Sequence, residues 1–302
     1  MLIQFEQVTK RYGAVVALNN LSLSVPSGAI GLLGPNGSGK TTLIRSMLGL
    51  TRVDHGTGQV LGLDFQTRRL DIRRLVGFVP EDECLFPRVV GVEFVSYAGE
   101  LVGMSPKDAL QRSHEVLDYV GLGEARYRKV ETYSTGMKQR LKIASAIIHD
   151  PKLLILDEPT NGMDPAGREE ILVLARDLSR NKGMSLLFSS HLLPDVEAVC
   201  EYVVVLGGGK LLTDGNIQHL KQLHKQCYDV RLKADPGLFV EKLTALGCTA
   251  EPWEDALRVQ IPEGKSQRLL WEVAAEQGLQ IRHLRPQRST LEEVFLKAVE
   301  QA

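Results

Sequence analysis

Gly34-Pro35-Asn36-Gly37-Ser38-Gly39-Lys40-Thr41 stands between an apolar run at residues 29–33 and a helical pattern over residues 40–50. The spacing is G-x-x-x-x-G-K-[ST], and the order strand, loop, helix is the context in which that spacing binds phosphate. Glycines let backbone N–H groups converge on phosphate oxygens with no Cβ in the way, and the start of the next helix adds partial positive charge. Lys40 would reach the β- and γ-phosphates of a nucleotide, and the Thr41 hydroxyl would ligate magnesium. A glycine-rich turn arising by chance is the bland alternative, and the flanking strand and helix weigh against it.

Working outward, Leu153-Leu154-Ile155-Leu156-Asp157-Glu158 reads as a buried strand running into two consecutive carboxylates. In an open α/β sheet, strand ends are where a metal-nucleotide site lies. Asp157 can hold magnesium, and Glu158 can orient or deprotonate an attacking water. An exposed acid pair at a strand end would look the same in isolation. Between these stretches, Tyr133-Ser134-Thr135-Gly136-Met137-Lys138-Gln139-Arg140 leads into a helical run at residues 141–148. Ser134 and Gly136 at a helix start offer a hydroxyl and free N–H groups, which fits an ordinary N-cap as well as a second anion site.

The composition agrees with a globular chain. Its 302 residues are 43% hydrophobic and 24% charged, which sets aside disordered and fibrous classes. With 36 basic and 37 acidic residues the net charge is -1, so the basic footprint of a nucleic-acid binder is missing and no nucleic acid is expected. Cys84, Cys200, Cys227 and Cys248 show no CxxC spacing and read as reduced thiols of a cytosolic protein. No apolar run approaches the roughly 18–20 residues of a membrane span, and the alternating start at residues 2–8 resembles a strand rather than a signal segment, so neither span nor secretion is expected.

Strand signals at residues 21–25, 29–33, 75–79, 152–156 and 185–189 alternate with helical ones, which predicts a largely parallel sheet covered on both faces. Helical periodicity from about Val92 to Val120 predicts a helical insertion of about two or three helices, and residues 203–213 with Gly207-Gly208-Gly209 at the bend predict a hairpin. From about His219 the pattern restarts as βαββαβ, the split ferredoxin-like order. A last helix is expected from Thr290, with Glu293 as capping-box partner and Leu291, Val294, Phe295 and Ala298 on one face. The expected domains are residues 1–218, with a helical subdomain at about 84–150, and residues 219–302. Trp253 and Trp271 read as core or subdomain-interface residues. The Arg68-Arg69 and Arg73-Arg74 pairs read as a solvated face, contact with a partner or with lipid headgroups being the alternative.

Taken together, the motifs resemble the ABC ATPase family, in particular the ATPase subunits of bacterial exporters whose permease is a separate chain. The likeness covers about residues 2–215, in family order: the phosphate loop, the signature at Ser134–Met137, Asp157-Glu158-Pro159-Thr160, Gly162-Met163-Asp164-Pro165, and Ser190-His191. That resemblance implies ATP and Mg2+ as cofactors and a P-loop NTPase core. It further implies a transmembrane permease as partner and a place at the cytoplasmic face of the inner membrane. It makes His191 the switch histidine at the γ-phosphate and Tyr12 the aromatic that stacks on adenine. Gly34 to Thr42 and Asp164 join the nucleotide-contacting set.

Two such domains pair head to tail in the family, so Ser134, Thr135 and Gly136 of one chain would cover the nucleotide on Lys40 of another, identical or related. Three departures stand out. Pro80 is followed by Glu81 where the family commonly has Gln, although a carboxylate can also ligate magnesium. Thr135 replaces a signature glycine and Met137 the usual glutamine, both resembling variants in drug and polymer exporters. Thr290 to Leu296 resembles the close of the accessory domain in that subgroup. An ABC-type ATPase acting on ribosomes or in cofactor assembly is the rival reading, without the paired motif sets and charged linker usual in ribosome-acting members.

Overall fold

The structure is a computed structural model and describes residues 1–223, 227–233, 236–253, 256–262, 264–286, 291, 292, 295 and 296. The chain separates into two compact units, the first built on Met1–Asn216 and the second on Ile217–Lys297.

The first unit begins with β1 (Ile3–Tyr12), β2 (Val15–Val25) and β3 (Ala29–Leu33), then α1 (Lys40–Met47), β4 (His55–Val60) and β5 (Leu63–Asp64). It continues through α2 (Arg69–Leu75), β6 (Val76–Val79), α3 (Gly91–Leu101), α4 (Pro106–Tyr119) and α5 (Thr135–Ile147). It closes with β7 (Leu153–Asp157), α6 (Pro165–Arg180), β8 (Ser185–Ser189), α7 (Leu193–Val199), β9 (Tyr202–Gly207) and β10 (Lys210–Asn216).

Six strands form one sheet in the order β10-β9-β3-β8-β7-β6, parallel except for the edge hairpin β9–β10. All five residues of β3 and of β7 are buried, as strands covered on both faces must be. Ile30 and Leu32 of β3 and Leu153 and Ile155 of β7 join Phe5, Leu43, Ile44, Met47 and Phe65 in one core, where Phe5 and Phe65 meet edge to face with centroids 5.1 Å apart. Each such fully buried aliphatic side chain contributes roughly 1.5–3 kcal/mol.

The register decides what the sheet presents at its carboxyl edge. Ser189 on β8 pairs with Leu32 on β3 on one side and with Asp157 on β7 on the other. The three loops that follow these strands therefore leave the sheet side by side at one level.

A second sheet, β2-β1-β4-β5, is antiparallel throughout. This corrects the expectation of strands feeding a single parallel sheet, since residues 2–25 and 55–64 build a separate layer. The strand signals at residues 2–8 and 21–25 fall on β1 and β2, but the full extent of both is hidden from a period-two reading because they pair with register shifts, and Gln7 and Asn20 adopt positive φ of 51° and 50°. Each such irregularity flips the alternation of faces.

Three α-helices, α3 to α5, lie between β6 and β7. Ser105 caps α4 ahead of Pro106, and Ser134 caps α5 by accepting from the Met137 N–H at 3.3 Å. Arg73, read with its neighbours as a solvated face, instead donates from Nε to the Leu48 carbonyl at 2.9 Å just past the end of α1, a favourable place for a cation. No helix among the described residues is long and apolar enough to cross a membrane.

The second unit contains α8 (Ile217–Leu223), β11 (Cys227–Leu232), α9 (Gly237–Ala245), β12 (Thr249–Trp253), β13 (Ala256–Gln260), α10 (Arg268–Glu276) and β14 (Ile281–Pro286). Its sheet is antiparallel in the order β12-β13-β11-β14. Phe239, Leu243, Leu270, Val273 and Ala274 of the two long helices pack on Val230, Leu257 and Val259. Trp253 and Trp271 are half exposed rather than core residues; the Trp253 ring carries the Arg258 guanidinium 3.6 Å from its centroid. Amphipathic aromatics stack on a guanidinium as readily as they bury. Of the expected last helix, Thr290, Glu293, Val294 and Ala298 lie outside the described residues.

Candidate functional site

The loop after β3 is shaped by what its glycines exclude. A Cβ on Gly34 would fall 2.3 Å from Ser38 Oγ and 2.5 Å from the Leu206 carbonyl oxygen, and Gly39 holds φ at 105°, a conformation costly for any other residue. The loop folds back so that Lys40, the first residue of α1, buries its ammonium against its own turn. Nζ donates to the Gly34 carbonyl at 2.7 Å and to that of Pro35 at 3.4 Å.

Around this loop opens a cleft of about 500 Å³, lined by Asn36, Gly37, Ser38, Gly39, Lys40, Thr41 and Thr42 together with Glu81, Asp157, Glu158 and His191. Elements 116 residues apart meet here: Thr41 Oγ1 donates to Asp157 Oδ2 at 3.3 Å. Asp157 is only 2% exposed, and its Oδ1 has no hydrogen-bond partner. Burial pushes its carboxyl above the usual carboxylate range, and the neighbouring carboxylates of Glu158 and Glu81 add to the rise.

Glu158 follows Asp157 with φ of 48°, a left-handed backbone that a glutamate adopts only under constraint. The turn aims its carboxylate into the cleft while its N–H donates to the Ser189 carbonyl at 3.0 Å. Oε1 stands 3.8 Å from Lys40 Nζ, and Oε2 lies 2.8 Å from His191 Nδ1 and accepts from the His191 N–H at 3.4 Å. Such a carboxylate, nearly buried and held beside a cation and an imidazole, has the geometry of a general base.

Glu81 reaches the same cleft from the loop after β6, where its Oε1 accepts from Asn161 Nδ2 at 3.1 Å. Asn161, Val15 and Ala17 also line the cleft, and the sequence reading missed all three. The position of Asn161 just past the strand-end carboxylates was the available signal for it. Val15 and Ala17 on β2 carried none.

Beneath Asn161, buried Thr160 donates its hydroxyl to Asp195 Oδ2 at 2.6 Å, and Arg168 Nε donates to Oδ1 of the same fully buried carboxylate at 2.6 Å. This network ties the turn after β7 to α6 and α7.

Several residues named from sequence stand apart from the cleft. Ser134, Thr135 and Gly136 are at the start of α5, and Asp164 precedes α6; none of them lines it. Tyr12 is half exposed at the end of β1, with its hydroxyl 3.4 Å from Thr51 Oγ1 and the Lys10 ammonium 5.1 Å from its ring centroid. Gly34 and Pro35 contribute carbonyls to Lys40 rather than cleft wall.

The family pattern described as ABC transporter matches residues 18–161. Over 99% of both chains, the sequence is 34% identical to the uncharacterized ABC transporter ATP-binding protein YxlF of Bacillus subtilis. It is 33% identical to the daunorubicin/doxorubicin resistance ATP-binding protein DrrA of Streptomyces peucetius, across 97% of this chain and 91% of that one. Among solved structures, a dimeric ATP-binding cassette in a post-hydrolysis state with ADP and phosphate superposes with a TM-score of 0.64 at 24% identity, covering 71% of this chain and 98% of that one. At that identity the likeness speaks to the fold alone.

Proposed function

This chain belongs to the ABC transporter ATP-binding proteins and is an ATP-hydrolysing subunit, and from that premise we propose that it drives a separate transmembrane permease as the motor of an exporter, docked at the cytoplasmic face of the inner membrane. The observation that carries the reading is the cleft in which the phosphate-type loop, Asp157, Glu158 and His191 converge at the carboxyl edge of the sheet. The exporter assignment draws on the near full-length likeness to a drug-resistance ATP-binding protein.

The residues present fit a magnesium ion that arrives with the nucleotide. Among the described residues no three His, Cys, Asp or Glu side chains could by themselves hold a metal. Yet Asp157 presents a buried oxygen without a partner beside the Thr41 hydroxyl, and both are the hard oxygen donors magnesium prefers. Three carboxylates, Glu81, Asp157 and Glu158, line the cleft, so a bare triphosphate would be repelled and a metal-neutralised one favoured. Thr41, Asp157 and Glu81 would hold that ion, whose charge would offset the charge developing on the phosphates.

In this reading Asn36 to Thr42 cradle the phosphates, Lys40 leaves its loop carbonyls for phosphate oxygens, Glu158 takes the proton of the attacking water, and His191 orients Glu158 and the γ-phosphate. Tyr12 would stack on adenine, close to the wall that Val15 and Ala17 provide. The distance of Ser134, Thr135, Gly136 and Asp164 from this chain's own cleft fits their serving the nucleotide of a second, identical or related chain. The helices between β6 and β7 are read as the helical subdomain at about 84–150. The unit from Ile217 is read as ferredoxin-like, which its βαββαβ order and its sheet order support.

The test is purification of the chain from solubilised membranes, with identification of what accompanies it. A polytopic membrane protein in stoichiometric amount is the expected result. Recovery with ribosomes, or alone, would sink the exporter reading while leaving the ATPase untouched.

A further inference from the structure

The loop that carries Glu81 has no regular secondary structure between β6 and α3, so something else must fix its height over the cleft. Lys142, two turns along α5 from Ser134, reaches into it. Its ammonium, on a residue only 7% exposed, donates to the carbonyl oxygens of Pro80 at 2.5 Å, Asp82 at 2.9 Å and Glu81 at 3.4 Å. Three N–H donors thus meet three consecutive backbone acceptors. One turn earlier, on the same face of α5, Lys138 forms an ion pair with Glu83. Burial pulls the Lys142 pKa down, the mark of a charge held where an apolar side chain would avoid the desolvation.

We infer that Lys142 is a positioning residue for Glu81: its ammonium lashes the loop to α5, so that the Glu81 carboxylate stands beside Asn161 and the Asp157 side of the cleft. Glu81 then moves with the helix headed by Ser134 and Gly136 rather than with the sheet. Any motion of α5 withdraws or advances the carboxylate. The inference rests on the reading of Glu81 as a magnesium-side group.

The experiment is a Mg2+ titration of ATP hydrolysis by the full chain at saturating ATP, for wild type, Lys142→Met, Lys142→Arg, Glu81→Ala and the double variant Lys142→Met/Glu81→Ala. A fluorescent ATP analogue bound in EDTA monitors the phosphate loop separately. Lys142→Met is expected to raise the half-saturating Mg2+ about tenfold, the scale of one lost charge-assisted hydrogen bond, with metal-free nucleotide affinity unchanged. Lys142→Arg, which keeps charge and donors, should sit closer to wild type, and the double variant should be no worse than Glu81→Ala alone.

A wild-type Mg2+ response from Lys142→Met, or a further additive shift in the double variant, overturns the inference. Should Lys142→Met fail to fold, Lys142→Gln, which retains two donors, is read in the same way. If Glu81→Ala leaves the response unchanged, the reading of Glu81 falls and the inference with it. If Glu81→Ala shifts the response and Lys142→Met does not, the inference alone falls.

Discussion

Oε2 of Glu158 lies 2.8 Å from Nδ1 of His191, while the other oxygen of that carboxylate stands 3.8 Å from Nζ of Lys40. The carboxylate is held from two sides, on a backbone bent to φ of 48°, with only 8% of its side chain exposed. Neither neighbour is next to it in sequence: Lys40 heads the helix after β3 and His191 follows β8, both at the same edge of the sheet. If Lys40 turns to a phosphate, as proposed, Oε1 would be released toward the cleft while His191 would keep Oε2 in place.

Glu158→Gln should therefore lower ATP hydrolysis by about 10²- to 10⁴-fold, the range of a lost general base, with nucleotide affinity retained. His191→Ala should cost less, about tenfold to a hundredfold, because the base survives but loses its orientation. Phosphate release at saturating MgATP, alongside equilibrium nucleotide binding, checks both. Hydrolysis by Glu158→Gln at the wild-type rate would contradict the assigned role.

Asp157→Asn should abolish Mg2+-dependent hydrolysis and yet stabilise the nucleotide-free protein. The Asp157 carboxyl is raised above its ordinary 3.8, burial being the main cause, so the folded state binds this proton more tightly than the unfolded state. Its stabilising contribution is complete below about pH 3.8 and is lost as pH rises through the folded value. At neutral pH the ionised side chain is thus a burden that Asn removes, for a gain of roughly 1–2 kcal/mol or about 2–8 °C in Tm, shrinking as the pH is lowered. Thermal melts of both proteins between pH 8 and 5 provide the measurement. A variant less stable than wild type at pH 8 would contradict it.

Asp195 is fully buried and accepts from both Thr160 and Arg168. Asp195→Ala leaves Thr160 without its acceptor and a cation without its counter-charge, for a loss of about 3 kcal/mol and roughly 10 °C in Tm. Hydrolysis measured well below the new melting point should also fall, since Thr160 lies two residues from Glu158. An unchanged melt would show that the network carries no load.

The paired-chain reading has its own test. Ser134→Arg and Lys40→Ala should each be inactive alone, the first through the cover and the second through the phosphate loop. Mixed, they can form one site from the intact loop of one chain and the intact Ser134 region of the other, so hydrolysis should reappear. Two preparations that remain inactive when mixed, though each still binds its counterpart, would argue against cover in trans.

The parallel sheet was legible because its strands are wholly apolar: β7 and β8 were placed to within a residue of Leu153–Asp157 and Ser185–Ser189 by hydrophobicity alone. The antiparallel layer was legible only in pieces, at residues 2–8 and 21–25, because the bulges near Gln7 and Asn20 interrupt the alternation along β1 and β2. Helices α3 and α4 fall in the periodic stretch that the sequence reads as about two or three helices, and the position of the break before Pro106 comes from the Ser105 cap.

By itself the sequence determined which residue types could do the chemistry. The glycine spacing before Lys40 and the acids after an apolar strand are local facts, set by what a turn or a strand end tolerates. Tertiary structure alone decided that Glu158 is gripped by His191 and Lys40, and that Lys142 holds the loop of Glu81. Those contacts depend on strand order and register, with Ser189 standing between Leu32 and Asp157. Register is settled by burial of the whole sheet at once, a cooperative balance of packing that no single stretch of residues contains.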